Sequence, residues 1–174
     1  VTNDSVIRSE LLLDEGDPFS RTKMEKSISN IKARNIFNKV DYKINEGSEA
    51  GLKNIDITIE EKPTGEISAG AGYGTEGGAF AFSVKENNYL GKGLRVIANM
   101  DVSGESVRGG FNIINPNYNY TGNKVYTGIS TKKTDAASSG YENTISNINI
   151  GTEFEQYKDI FLVGDFSFTF DDLT

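Results

Sequence analysis

The residues of this chain with chemical reach are few in kind. The most suggestive run is Gly70-Ala71-Gly72-Tyr73-Gly74, whose glycines could let backbone amides close around a phosphate. That chemistry needs a further glycine at the mouth of a helix, and position 75 is Thr with no helical pattern after it. The glycines fall inside a strand pattern, where they either keep one face flat or weaken pairing along that strand. Paired carboxylates, the residue type for general acid–base work, occur at Glu60-Glu61 and Asp171-Asp172. Nothing builds a pocket around either pair, so both read as solvated strand ends. The chain has 0 His and 0 Cys. That removes the usual general base, the commonest metal ligand, thiolate nucleophiles, disulfides and Cys-based zinc sites. No residue is a credible nucleophile, and the expected catalytic residues, cofactors and metals are none.

What remains is the backbone and the elements that position it. After Pro63 short stretches alternate apolar with small or polar residues, as in Phe80-Ala81-Phe82-Ser83-Val84 and Gly164-Asp165-Phe166-Ser167-Phe168-Thr169-Phe170. Successive side chains of a strand point to opposite faces, so each stretch is a ribbon with one apolar and one wet side. The pattern predicts strands over 66–74, 78–87, 93–104, 106–116, 124–134, 143–156 and 160–171. Leu94, Val96, Ala98, Met100 and Val102 should share one face, with Arg95, Asn99 and Asp101 on the other. Ile148, Ile150 and Phe154 should likewise oppose Asn147, Asn149 and Glu153, and Asp165 should lie on the wet face. Tyr73, Tyr89, Tyr118 and Tyr157 fall at strand ends. The apolar sides need a closed barrel, a sandwich or a membrane to cover them.

Composition shifts at the same place. Residues 1–65 carry net charge −2 and residues 66–174 net −5, within the total of −7. Of 19 glycines only four precede residue 66, which sets a boundary near residues 63–65. No Lys/Arg cluster offers nucleic acid a footprint. No strictly apolar run exceeds the four residues of Ile160-Phe161-Leu162-Val163, too short for a membrane helix, so entry into a bilayer would be by strands.

The first 65 residues read as a small α+β module. Asn3 or Asp4 can cap a helix running to about Leu13, stopped by Gly16-Asp17-Pro18. A second helix has two possible starts: Ser20 with a Phe19–Met24 staple, or Thr22 with Glu25 as a capping box. Met24, Ile28 and Ile31 share its buried face, and Asn35 is a left-handed terminator. Strands follow over 37–44 and 52–61, joined through Glu46-Gly47-Ser48-Glu49.

This helix–helix–strand–strand order, with Gly16, Phe19, Ile31, Phe37 and Val40 spaced as they are, resembles a POTRA domain. Behind it, Gly70 to Gly78, then Asn87-Asn88-Tyr89-Leu90-Gly91-Lys92-Gly93, then Asn115-Pro116 with Tyr118 resemble the opening barrel strands of the Omp85 superfamily, from about Asn3 to Thr174. The resemblance implies two domains: 1–64, a POTRA module of order ααββ whose first strand would precede Val1, and 65–174, an all-β antiparallel meander forming part of a transmembrane β-barrel.

It also implies a non-enzymatic outer-membrane insertase, with the POTRA module in the periplasm. Its partners would be unfolded outer-membrane protein clients, assembly-complex lipoproteins and the lipid bilayer, with no nucleic acid. Client strands would pair along Glu66, Ile67, Ser68, Ala69, Gly70, Ala71, Gly72, Tyr73 and Gly74 at a lateral gate. The module's strand edge, Phe37, Lys39, Val40, Tyr42 and Ile44, would capture clients by β-augmentation. The Asn87–Gly93 turn reads as a tight hairpin connection. Alternatives are a secretion pore or TamA-like assembly protein of the same superfamily, a passive porin-like channel, and a soluble β-sandwich binding domain.

Overall fold

The computed structural model describes residues 1–49, 51–74, 77–136 and 140–174. The chain divides into two compact units, Val1–Thr64 with Leu90–Gly93, and Gly65–Tyr89 with Leu94–Thr174.

The first unit contains α1 (Asp4–Arg8), α2 (Arg21–Ala33), β1 (Phe37–Glu46) and β2 (Lys53–Glu61). Its core is Val6, Met24, Ile28, Ile31, Ile36, Phe37 and Val40, with Ile31 wholly buried. Ser20 is the cap of α2, accepting from the Lys23 N–H, so the staple start prevails over the capping box at Thr22. Asn35 ends this segment in the left-handed region at φ 56°.

The first helix is shorter than its pattern suggests, stopping at Arg8 rather than near Leu13. A tertiary bond explains the early stop. Ser27 Oγ, fully buried on α2, accepts from the Leu12 N–H at 2.8 Å and donates to the Lys23 carbonyl at 2.9 Å. That acceptor takes the Leu12 amide away from a helical partner, while Leu11 and Leu13 pack against the core. Strands β1 and β2 form an antiparallel pair with a register shift between Phe37 and Lys39.

The second unit is one sheet. Strands β3 (Gly65–Gly74), β4 (Gly77–Tyr89), β5 (Leu94–Ser103), β6 (Ser106–Tyr118), β7 (Asn123–Ala136), β8 (Tyr141–Tyr157) and β9 (Ile160–Leu173) pair antiparallel in chain order. Asn87 and Asn88 belong to β4, so the connection after it is only Leu90–Gly93. Register shifts occur between Glu86 and Tyr89, between Asn115 and Tyr118, and between Glu155 and Tyr157. All three lie at the same end of the meander, each just before a tyrosine that closes a hairpin. Bulges of this kind tighten local twist and end pairing cleanly.

Candidate functional site

Pairing partners share a face, so the register sorts every side chain of the meander. One row across the sheet runs Ile67, Val84, Ala98, Phe111, Ile129, Ile148, Phe168. The next row, one residue along, runs Ser68, Ser83, Asn99, Gly110, Ser130, Asn147, Thr169 and points the other way. The apolar face collects Val96, Met100, Val102, Ile150, Phe154 and Phe166; Arg95, Asp101, Glu153 and Asp165 lie on the polar one. These are the faces that alternation assigns them.

Burial is inverted relative to a sheet that packs on a core. Every buried hydrophobic side chain among the described residues lies in the first unit. In the sheet, Ile148 and Ile150 are 50% and 55% exposed and Phe166 and Phe168 58% and 57%, while Asn147 and Asn149 between and beside them are half-buried. The extensive contacts of each strand are with its ladder neighbours, and no second layer covers the apolar face among the described residues. Phe166 and Phe168 meet edge to face, ring centroids 4.7 Å apart, on that open surface.

The glycines report curvature. On the polar face a Cβ at Gly110 would crowd Asn99, one at Gly128 would crowd Asn112 and Asn149, and one at Gly151 would overlap the Tyr126 ring. On the apolar face, Gly109 has nothing within 4 Å and Gly164 only a methyl of Thr152 at 3.9 Å. Gly70 and Gly72, on the polar face of β3, have nothing within 4 Å, so the crowding belongs to the middle strands β6 to β8, where the sheet curls toward its polar face as a barrel wall does.

The apolar band also slides along the strands. On β4 it centres on Phe82, whose row ends at Phe170 on β9. On β9 the outward apolar residues run from Ile160 to Phe170, centred some five residues nearer the turn. A shift of about 17 Å over five strand spacings of about 4.8 Å corresponds to a tilt of about 35° between strands and band. Membrane barrels tilt their strands by about 35–45°.

Glu66 to Gly74 lie on β3, an outermost strand of the sheet that pairs with β4 on one side only, and every one of them is exposed. Gly70 and Gly72 face Ala81 and Ala79 on the polar face, so that part of the edge is nearly bare of side chains. Thr75 and Glu76, which complete the glycine-rich motif, lie outside the described residues.

Among the described residues of the first unit, β1 pairs with β2 alone. Lys39 and Ile44 are exposed and Tyr42 half-buried, but Phe37 and Val40 are 9% and 3% exposed. Those two side chains belong to the core, so only their backbone is available to a partner. The unit also includes the turn Leu90–Gly93. The Gly91 carbonyl accepts from the Asn3 N–H at 2.8 Å and the Gly93 carbonyl from Arg34 at 3.0 Å. Sequence reasoning treated this segment as a connection and missed both bonds, which no local spacing announces.

Residues 1–62 match the family described as POTRA, surface antigen variable number repeat. A Treponema pallidum (strain Nichols) protein named putative outer membrane protein assembly factor is 34% identical over 112 residues, which is 60% of this chain and 13% of that protein. The outer membrane protein assembly factor BamA of Neorickettsia risticii is 34% identical over 103 residues, 57% of this chain and 13% of that one. The crystal structure of BamA from Haemophilus ducreyi lacking POTRA domains 1–3 superposes over 100% of the chain with TM-score 0.83, at 22% identity. The chain is BamA-like and resembles the Omp85 superfamily.

The likeness to the Haemophilus ducreyi BamA structure is one of fold, an antiparallel meander with a small helical part, and it covers 34% of that chain. The chain spans about an eighth of the curated relatives it matches. Among the described residues no group of His, Cys, Asp and Glu is arranged to hold a metal ion.

Proposed function

We propose that residues 65–174 form part of the wall of a transmembrane β-barrel in the bacterial outer membrane, and that residues 1–64 are a periplasmic POTRA module. The module carries a groove of about 810 Å³ lined by Ile7, Leu11, Leu13, Leu52 and Ile55. The protein that contains this chain inserts outer-membrane proteins. The open edge of β1 captures an unfolded client by adding it as a strand, and β3 then templates client strands at a lateral gate. The work is done by backbone hydrogen bonds made in an apolar medium, where an unmade bond is costly. No nucleotide or metal takes part, and the partners are unfolded clients and accessory lipoproteins.

One observation carries this reading: the row from Ile67 to Phe168, half-buried only at Ala98, lies exposed on one face while asparagines and serines are gathered on the other. A soluble sandwich would cover that row with a second layer. A plain channel would have no use for the first unit. The test is a photo-independent thiol crosslink in the full-length protein, with cysteine at Gly70 or Ala71 and a client stalled during assembly. Capture of the client at these positions is expected. Capture elsewhere on the barrel but not along β3 would remove the edge strand from the mechanism.

A further inference from the structure

Only two described residues of the seven-stranded sheet are buried, Gly128 and Gly151, and both lie on its polar face. Gly128 is covered by the carboxamides of Asn112 and Asn149, short groups that can turn aside. Gly151 is covered by a ring. Its direct partner on β7 is Tyr126, whose ring carbons and hydroxyl occupy the space a Cβ would need. Across Gly151, its partner on β9 is Asp165, which the register places on the same polar face as Tyr126. Lys124, two residues earlier on the same face, sits 6.0 Å from the ring centroid and is ion-paired with Glu153 on β8.

We propose that Tyr126 laid over Gly151 forms a register pin that locks β7 and β8 together from the polar face. A slip of one residue would turn every apolar side chain to the wrong side, so the alternation itself forbids it. A slip of two residues keeps both faces intact: Ile129 would merely exchange Ile148 for Ile150 or Ser146. The apolar pattern is nearly silent about that error. The pin is not. In a register shifted by two, Tyr126 meets Asn149 or Glu153, whose side chains exclude the flat ring. An aromatic side chain laid across a glycine of the next strand also repairs the missing packing that makes glycine a weak strand residue. The inference is independent of what covers the apolar face.

The test uses the full-length protein refolded into phospholipid vesicles, with any other cysteines removed. A cysteine pair at Ser130 and Asn147 reads the native register, and pairs at Ser130 with Asn149 or with Ile145 read the two slips. Tyr126→Phe keeps the ring and should crosslink only in the native register, whereas Tyr126→Thr should raise the slipped crosslinks severalfold. Independently, Gly151→Ala should speed unfolding in denaturant about tenfold when Tyr126 is present, the size of one overpacked contact. In the Tyr126→Thr background the same change should slow unfolding, because alanine is then simply the better strand residue. Should Gly151→Ala prevent folding outright, recovery of folding in the double variant supports the pin equally. Equal effects of Gly151→Ala in both backgrounds, or unchanged slipped crosslinks in Tyr126→Thr, would overturn it.

Discussion

A charge placed on the apolar face of the sheet should unfold it, and the same charge one residue away should not. Phe168 lies in the central apolar row, 57% exposed within the sheet, so more than half its surface is left for lipid. Removing that surface from hydrocarbon forfeits about 1–1.5 kcal/mol. Arginine near the bilayer midplane adds about 2–4 kcal/mol. Phe168→Arg should therefore cost about 3–5 kcal/mol, shifting the folded-to-unfolded ratio by about two to four orders of magnitude. Ser167 is its chain neighbour on the polar face and is exposed. Ser167→Arg should stay within about 0.5 kcal/mol of the parent. The assay is urea titration of the full-length protein in vesicles, with folded protein followed by its faster migration in unheated gels. If the two variants lose stability alike, or if Phe168→Arg behaves as the parent, hydrocarbon is not the solvent of that face and the membrane argument fails.

The remaining expectations are simpler. The chain has 0 Trp, so in a Trp-free background Phe166→Trp should be quenched by brominated acyl chains while Ser167→Trp should not. Ser27→Ala should destabilise the first unit by about 1–3 kcal/mol by stranding the Leu12 amide, read as faster hydrogen exchange at Leu12. The Thr2 N–H, the largest cause, holds the Glu61 carboxyl below its ordinary range, with the Thr2 side chain adding to it. A carboxylate lowered on folding contributes stability above its unfolded value and loses it as pH falls through the folded one. Protection of the Thr2 amide, the exchange rate corrected for its intrinsic pH dependence, should therefore fall below about pH 4.5 in the parent, and Glu61→Gln should abolish that acid-side change.

Much of this was legible in the sequence because a two-residue period is unambiguous where it is long. The alternation through Leu94 to Val102, and through Phe166 to Phe170, places each residue on its face without reference to any neighbour. The helix pattern of Met24, Ile28 and Ile31 was equally clear, and Asn35 marked where it ends. What was hidden depends on partners distant in the chain. The Ser27 hydroxyl cuts α1 short from fifteen residues away. The burial of Phe37 and Val40 depends on α2 packing over β1, which an edge-strand pattern does not foretell. The Tyr126 ring over Gly151 exists only once two hairpins have set their register. The bulges before Tyr89, Tyr118 and Tyr157 were missed because an extra residue leaves no mark on composition.

The sliding apolar band also varies in height. On β9 it runs from Ile160 to Phe170, about 27 Å along the membrane normal at the tilt derived above. On β4 it shrinks to Phe80, Phe82 and Val84, about 11 Å, with Glu86 closing it below. A bilayer fitted around such a wall would be thinner beside β4 than beside β9, and lipid tails there would have less room to stand upright.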